Sequence, residues 1–391
     1  METAIRHFIL LSEAGGILVQ VLNAVHALGN SDCIVVTTKK TRRIFLTNMT
    51  TRSIEADFCG SDDEYLVKGI NQSARDLPGL TIIPCDCPAA RLLDRIGQRL
   101  NAAVIPSPDA AMLNCFDDKW QFYQFCKMHG LSVPLTKLVA SKHDLHFTEL
   151  ASEFGLPFVV KPLNEAGSLG VCVICSKLEF QKKILDSRQY QFSPLLIQKY
   201  ICGTDVGLNL LAIHGKITAI SIQKRDFPQN FSAPIEFISN DFLEQAASAI
   251  CEKSGYHGVM NIDARIDEKT GLVFLFETNP RFWGSLSAST WCGLNFIQEC
   301  LEPALPPAPV RRLHSGRASV HYHPMIQPAL WGKALFSRHA HQRRMVRVMM
   351  GDLWTLLVQA GSLRQKVQGY LTAQREFLQI KLRRFNTDPE L

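Results

Sequence analysis

The sequence predicts an α/β protein in three parts: an N-terminal domain with a parallel sheet, a two-lobed α+β region of largely antiparallel strands, and a mostly helical, basic C-terminal extension. Three observations carry this reading. Residues 5–38 run strand, glycine pair, helix, strand. Residues 158–281 hold short apolar runs separated by turn residues, and after a proline-rich stretch at 302–309 the chain turns basic on helical apolar spacing.

In the first part, residues 5–11 read as a buried strand, Gly15 and Gly16 as the turn, the pattern through Leu28 as a helix, and CIVVTT at 33–38 as a second strand. A further strand at 80–84 and a helix through Leu100 complete the alternation, so crossover helices and a parallel, Rossmann-like sheet are expected over residues 1–113. The glycine pair lacks the full GxGxxG spacing and a following acidic residue, which favours tight turn geometry over a nicotinamide site.

The second part is expected over residues 114–305, with a small lobe at about 130–200 and a central lobe at about 201–305. DDKWQFYQFCKMHG at 117–130 predicts a helix capped by Gly130, and FVVKP at 158–162 a strand that returns through the loop 164–170 into a second strand at 171–175. Strands are expected at 194–201, at 208–223 as a hairpin turned at His214 and Gly215, and at 258–267 and 271–281 as another, with a helix at 241–254. The third part, 306–391, is a proline-rich linker and an extension in which 14 Lys and Arg from Arg311 onward face only Asp352, Glu376, Asp388 and Glu390.

At 391 residues and 46% hydrophobic, the chain has apolar material for two or three cores, which excludes a disordered or fibrous class. A net charge of +6 suits anionic substrates without demanding nucleic acid. The apolar run 8–11 is broken by Ser12 and Glu13 well short of a secretory or membrane-spanning length, so an untargeted chain with no transmembrane segment is expected. The 12 cysteines show no metal or disulfide spacing, and a reducing cytoplasm is the expected home. Cys85 with Cys87, and Cys172 with Cys175, read as buried structural residues, and His321 with His323 lack a third ligand.

Two groups of residues point to chemistry. Lys161, at the end of an apolar strand, can hold a phosphate in a fixed position, and Gly167 and Gly170 allow backbone amides to approach phosphate oxygens; hairpins also carry such residues for turn geometry alone. Asp263, Glu277 and Asn279 sit on paired strands, where Glu277 and Asn279 share a face and Asp263 can oppose them. Three oxygen donors converging in this way suit Mg²⁺ shared with phosphates; a solvated hairpin is the alternative.

Taken in order, DDK at 117–119, FVVKP with its glycine loop, QKYICGTD at 198–205, and NIDAR with FETNPR at 261–281 resemble the ATP-grasp superfamily over roughly residues 115–300. The resemblance implies ATP with Mg²⁺, for which Mn²⁺ can substitute, and an ATP-dependent ligase that forms an acyl phosphate from a carboxylate and passes the acyl group to an amine or thiol. It gives Lys119 and Lys161 to the ATP phosphates, the loop of Glu165, Gly167, Ser168 and Gly170 to a lid over them, and Gln198, Lys199, Tyr200 and Ile201 to the adenine. Asp205 goes to the ribose, Asp263, Glu277 and Asn279 to the metal, and Arg281, with Lys161, to the reacting centre; an ion pair with Glu277 is the plainer reading of Arg281.

Small-molecule carboxylate and amine substrates follow from the same resemblance. Lys224 and Arg225 are candidate carboxylate anchors, or else a solvated strand end, and Trp283 and Gly284 either shape the acceptor pocket or pack beneath the hairpin. The basic extension suits a carrier protein or peptide as partner, and a homodimer is compatible with the reading. Two other functions stay open at this point: a phosphotransferase without a second nucleophile, and a nucleotide-binding regulatory module without turnover.

Overall fold

The computed structural model describes residues 5–41, 47–165, 167, 169–224, 234–305, 308–318, 335–358 and 360–361. Strands β1 (Arg6–Ser12), β2 (Ser31–Thr37), β3 (Arg52–Glu55), β4 (Thr81–Pro84) and β5 (Ala103–Val104) form a parallel sheet in the order β3-β2-β1-β4-β5. Because successive side chains of a strand face opposite ways, Phe8 and Leu10 of β1 pack with α1 (Gly15–Ala27), whereas Ile9 and Leu11 pack with α2 (Asp63–Asp76) and α3 (Cys87–Ile96). The continuous apolar run of β1 is thus the mark of a strand covered on both faces.

Between β1 and β4 the strand order reverses, the position where open α/β sheets commonly take a phosphate ligand. Here the Asp86 carboxylate occupies it, accepting the Ser12 hydroxyl and the Glu13 and Ala14 amides, each at 2.8 Å. A Cβ on Gly15 would lie 3.0 Å from Thr41. The glycine pair, expected as the turn, instead opens α1 after Ala14; Gly15 is closely packed and Gly16 has open space around it.

Helices α4 (Ala110–Phe116) and α5 (Lys119–Met128) lead out of this domain. The single helix expected at 117–130 starts later, because Asp118 caps it by accepting the Trp120 and Gln121 amides at 2.8 and 2.9 Å. It ends as expected at Gly130, with φ of 69°.

A second sheet, entirely antiparallel, holds β6 (Thr136–Val139), β7 (Phe158–Pro162), β8 (Cys172–Ile174) and β9 (Leu195–Lys199) in the order β6-β9-β7-β8. Phe154 of α6 (Phe147–Phe154), Phe180 of α7 (Lys177–Phe180), Phe158 and Ile197 build its separate core.

The third sheet contains β10 (Gly203–Ile213), β11 (Lys216–Lys224), β12 (Ile235–Ile238), β13 (Gly258–Asp267) and β14 (Val273–Asn279). The turn between β10 and β11 is made by His214 and Gly215, with φ of 46° and 81°, as a two-residue hairpin requires. Leu208, Leu210 and Ile262 pack beneath α8 (Asp241–Ser254), while Leu211, Ala219 and Val259, on the other face, join the core shared with α1, α9 (Leu286–Trp291) and α10 (Phe296–Leu301).

Beyond the proline stretch, where a mostly helical extension is expected, two short strands come first. Strands β15 (Arg311–Leu313) and β16 (Gly316–Ala318) return to the third sheet, on β11 and β12. Helix α11 (Ala340–Met350) then buries Met345, Val346 and Met349, and Trp354 enters the core around α1. Three-residue strands leave almost no periodicity to read, which is why the return is silent in the sequence. His321, His323 and, of the basic extension 306–391 for which a carrier protein or peptide is the expected partner, residues 306–307, 319–334, 359 and 362–391 lie outside the described residues. No described helix is long and apolar enough to cross a membrane.

Candidate active site

The site is built on the face of the third sheet opposite α8. Asp263 and Glu277 stand directly across from each other on β13 and β14, as do Asn261 and Asn279. The register slips by one residue between Asp263 and Ala264, leaving Phe276 as an extra residue in β14. Such a bulge re-aims side chains, and here Glu277 and Asn279 share a face with Asp263 while the Phe276 ring stays beside Lys161 and Arg265 (5.8 and 5.6 Å to the ring centre). Asn279 Nδ2 donates to Asp263 Oδ2 at 3.4 Å, and Asn279 Oδ1 accepts from Arg281 Nη2 at 2.7 Å.

Two lysines reach this face from other elements. Lys119, the first residue of α5, brings Nζ to 3.6 Å from Glu277 Oε2 and donates to the carbonyls of Leu163 and Glu165 at 3.0 and 2.6 Å. Lys161, near the end of β7, is only 6% exposed. Burial, reinforced by Lys119, pushes its ammonium down to about 8, against the pull of Glu277 and Asp263. Burial and then the charge of Glu277 push the Asp263 carboxyl up, with Arg281 and Lys161 opposing.

A carboxylate whose proton affinity is raised by burial and by a second carboxylate beside it belongs to the kind of donor set a divalent cation relieves. Among the described residues no group of three or more His, Cys, Asp and Glu gathers around a common point; the set here is two carboxylates and a carboxamide. That composition fits Mg²⁺, which keeps part of its shell for phosphate oxygens and water. The ion pair of Glu277 is with Lys119, and Arg281 instead holds Asn279 and its neighbour's carbonyl, Phe282 O, at 2.8 Å.

The loop expected to act as a lid is anchored at its far end. Tyr190 Oη donates to Gly170 O at 2.9 Å, and a Cβ on Gly170, whose φ is 73°, would come within 2.6 Å of Phe192 and Pro162. Gly167 has φ of 66° and an open surround. Ser168 lies outside the described residues.

Several of the other expected residues have partners within the protein. Gln198 is buried and donates its amide nitrogen to Thr136 Oγ1 at 2.9 Å, tying β9 to β6. The Lys199 amide donates to Leu135 O at 2.9 Å, and Ile201 O accepts from Arg265 Nη1 at the same distance, so those two backbone groups are also engaged. Asp205 is held by Arg265 Nε at 2.6 Å, and Tyr200 lies 5.6 Å from that guanidinium. Lys224 pairs with Glu236, its cross-strand neighbour on β12, at 3.3 Å. Trp283 is 3% exposed and packs edge-on against Phe296, a core residue, whereas Gly284 is exposed with open space around it. Arg225 lies outside the described residues.

Arg265 was missed by sequence reasoning, although it sits within the NIDAR motif. It joins Asp205, Ile201, Tyr200 and Phe276. A charged residue placed two after Asp263 on the same strand was the available signal.

A family model described as ATP-grasp in the biosynthetic pathway with Ter operon matches residues 191–322. The chain is 25% identical over 243 residues to a D-aspartate ligase of Enterococcus faecium, covering 56% of each protein. It spans from 17% to 56% of the length of the curated relatives it matches. An L-amino acid ligase from Bacillus licheniformis shares the fold with a TM-score of 0.56 and 18% identity, over 77% of this chain and 74% of that one. The biotin carboxylase domain dimer of 2-oxoglutarate carboxylase from Hydrogenobacter thermophilus, solved with MgADP, ADP and bicarbonate, gives 0.57 and 16%, over 77% and 71%. The two-carboxylate sheet face, the opposing lysines and these matches agree, and over residues 191–322 the chain matches the ATP-grasp family, whose typical cofactors are ATP and Mg²⁺.

Proposed function

We propose that this protein is an ATP-dependent ligase that joins a small carboxylate to an amine, or to a related nucleophile such as a thiol, through an acyl phosphate. One observation carries the reading: Lys119 and Lys161 meet Asp263, Glu277, Asn279 and Arg281 on one sheet face, although they come from separate elements. The names of the relatives make amino acids the first substrates to try.

In this reading Asp263, Glu277 and Asn279 hold the divalent cation, which supplies charge neutralisation and alignment of the phosphates. Lys161 and Lys119 bind phosphate oxygens, Lys119 exchanging its present carbonyl partners for them. A carboxylate oxygen attacks the γ-phosphorus, the bond from that phosphorus to the bridging oxygen breaks, and ADP leaves. The amine then attacks the acyl carbon, phosphate departs, and one proton is lost from nitrogen. Arg281, beside Asn279, stabilises the negative charge that develops on the acyl oxygen. The loop at 164–170 excludes water from the acyl phosphate. No side-chain nucleophile is needed, so positioning and electrostatics supply the rate.

The test is ADP release from ATP and Mg²⁺ across pairs of amino acids and small acids. Release that needs both a carboxylate and an amine, with an amide product by mass, supports the ligase. Release with the carboxylate alone, ending in a stable phosphorylated product, replaces it with phosphotransfer, and nucleotide binding without any release replaces it with a regulatory module.

A further inference from the structure

The carboxamide of Asn279 is the outer end of a buried polar row that crosses four strands. Asn279 Nδ2 donates to Asn261 Oδ1 at 3.0 Å, Asn261 Nδ2 to Asn209 Oδ1 at 3.1 Å, and Asn209 Nδ2 to Ser221 Oγ at 3.4 Å. Each pair is directly opposed in register across β14, β13, β10 and β11. Asn209, Ser221 and Asn261 are 0%, 1% and 7% exposed. Leu211, Ala219 and Val259 on the same face are apolar and pack against α1 and its neighbours. An apolar row would hold these strands together equally well, since buried amides gain stability only when fully paired.

The row has one direction. Every carboxamide donates its nitrogen to the next member inward and turns its oxygen outward, Asn279 Nδ2 reaching Asp263 as well at 3.4 Å and its Oδ1 ending beside Arg281. If Asn279 alone turned over, its oxygen would meet the Asn261 oxygen, and an NH₂ group, which cannot ligate a cation, would face the site. Reversal therefore requires several buried amides to turn together. We propose that Asn261, backed by Asn209 and Ser221, is a positioning residue that locks the Asn279 oxygen toward the divalent cation and Arg281. This rests on the site reading given above and adds to it the device that fixes one ligand's orientation.

The experiment titrates Mn²⁺ into the full chain in the presence of adenylyl imidodiphosphate, and separately titrates the nucleotide alone in EDTA. Asn261→Leu, similar in volume, should weaken Mn²⁺ by about tenfold, the scale of losing an outer hydrogen bond to a metal ligand, and leave metal-free nucleotide binding unchanged. Asn261→Asp keeps an acceptor for Asn279 Nδ2 and should recover most of the affinity. Should Asn261→Leu not fold, Ser221→Ala removes only the far end of the row and should weaken Mn²⁺ in the same direction by a smaller factor. A merely structural role predicts a lower melting temperature with Mn²⁺ affinity unchanged, and that result in either variant overturns the proposal. Wild-type protein that binds no Mn²⁺ with the nucleotide present overturns the site reading itself, a separate outcome.

Discussion

Lys119 and Glu277, 158 residues apart in sequence, meet at 3.6 Å between the start of one helix and the end of a bulged strand, with the Leu163 and Glu165 carbonyls on the same ammonium. The lysine thus bridges the loop of the small sheet to the acidic face of the large one. Glu277 also raises the proton affinity of Asp263. Glu277→Ala removes one donor of the cation while easing that repulsion. Turnover should fall by at least about 10²–10³-fold, the scale of losing a preorganised charge at a reacting centre, with the melting temperature unchanged or raised. An ADP-release assay beside a thermal melt checks both halves, and activity near that of the wild type would falsify the assignment of Glu277 to the metal.

Asp352 explains how the C-terminal segment is fastened. Its buried carboxylate accepts the Thr47 hydroxyl at 2.6 Å, the Asn48 amide at 2.9 Å and the Thr355 amide at 2.7 Å. Asp352→Ala leaves three donors without their acceptor, and each unsatisfied buried group costs about 1–3 kcal/mol. Partial rescue by water brings the expected loss to roughly 3 kcal/mol. Urea unfolding measures it, and a loss below about 0.5 kcal/mol, the range of ordinary surface substitutions, would show that the segment is not held in this way.

Much of this arrangement is legible in the sequence alone. The Lys161 strand, the His214 and Gly215 hairpin and the paired strands of Asp263 and Glu277 announce themselves because turn residues and alternation are local. What stayed hidden depends on partners far along the chain. Gln198 and Lys224 carry polar tips that fit a ligand role, yet Thr136 and Glu236 occupy them, and neither partner is visible without strand register. The extra residue at Phe276 is equally silent, since a one-residue bulge leaves the composition of its strand unchanged. The asparagines at 209 and 261 read as ordinary strand polar residues until the sheet lines them up.

His26, on α1, carries a pH dependence. Burial lowers its proton affinity, while its contact with Met49 O at 2.8 Å and the nearby Asp352 charge act the other way. With the folded value below the ordinary 6.5, the unfolded chain binds more protons in the window just below that value, so stability rises with pH there. The protein should therefore lose stability as pH falls through the ordinary imidazole range, with the loss complete once the folded imidazole also titrates. Urea midpoints for wild type and His26→Gln separate this residue from other acid-titrating groups. The wild type should show the steeper fall, and parallel curves would remove His26 as the cause.

Gly203, in the motif QKYICGTD, shows what a motif glycine does in this fold. It opens β10 immediately after the strand expected to face adenine, and β13 runs close against it. A Cβ there would overlap the Ile266 carbonyl oxygen and lie 2.8 Å from the Ile266 carbonyl carbon. Both atoms are backbone, so no side-chain rotation relieves the clash, and β10 and β13 would have to part where Arg265 reaches Ile201 and Asp205. Gly203→Ala should cost roughly 2–4 kcal/mol, in the upper range of single substitutions, and should weaken nucleotide binding as well, because the displaced strands carry the Asp205 and Arg265 pair. Gly284→Ala, with nothing within 4 Å of the added carbon, supplies the control and should leave the unfolding midpoint within error. Equal midpoints for Gly203→Ala and wild type would mean that the two strands separate without cost, contrary to the packing on which the whole acidic face rests.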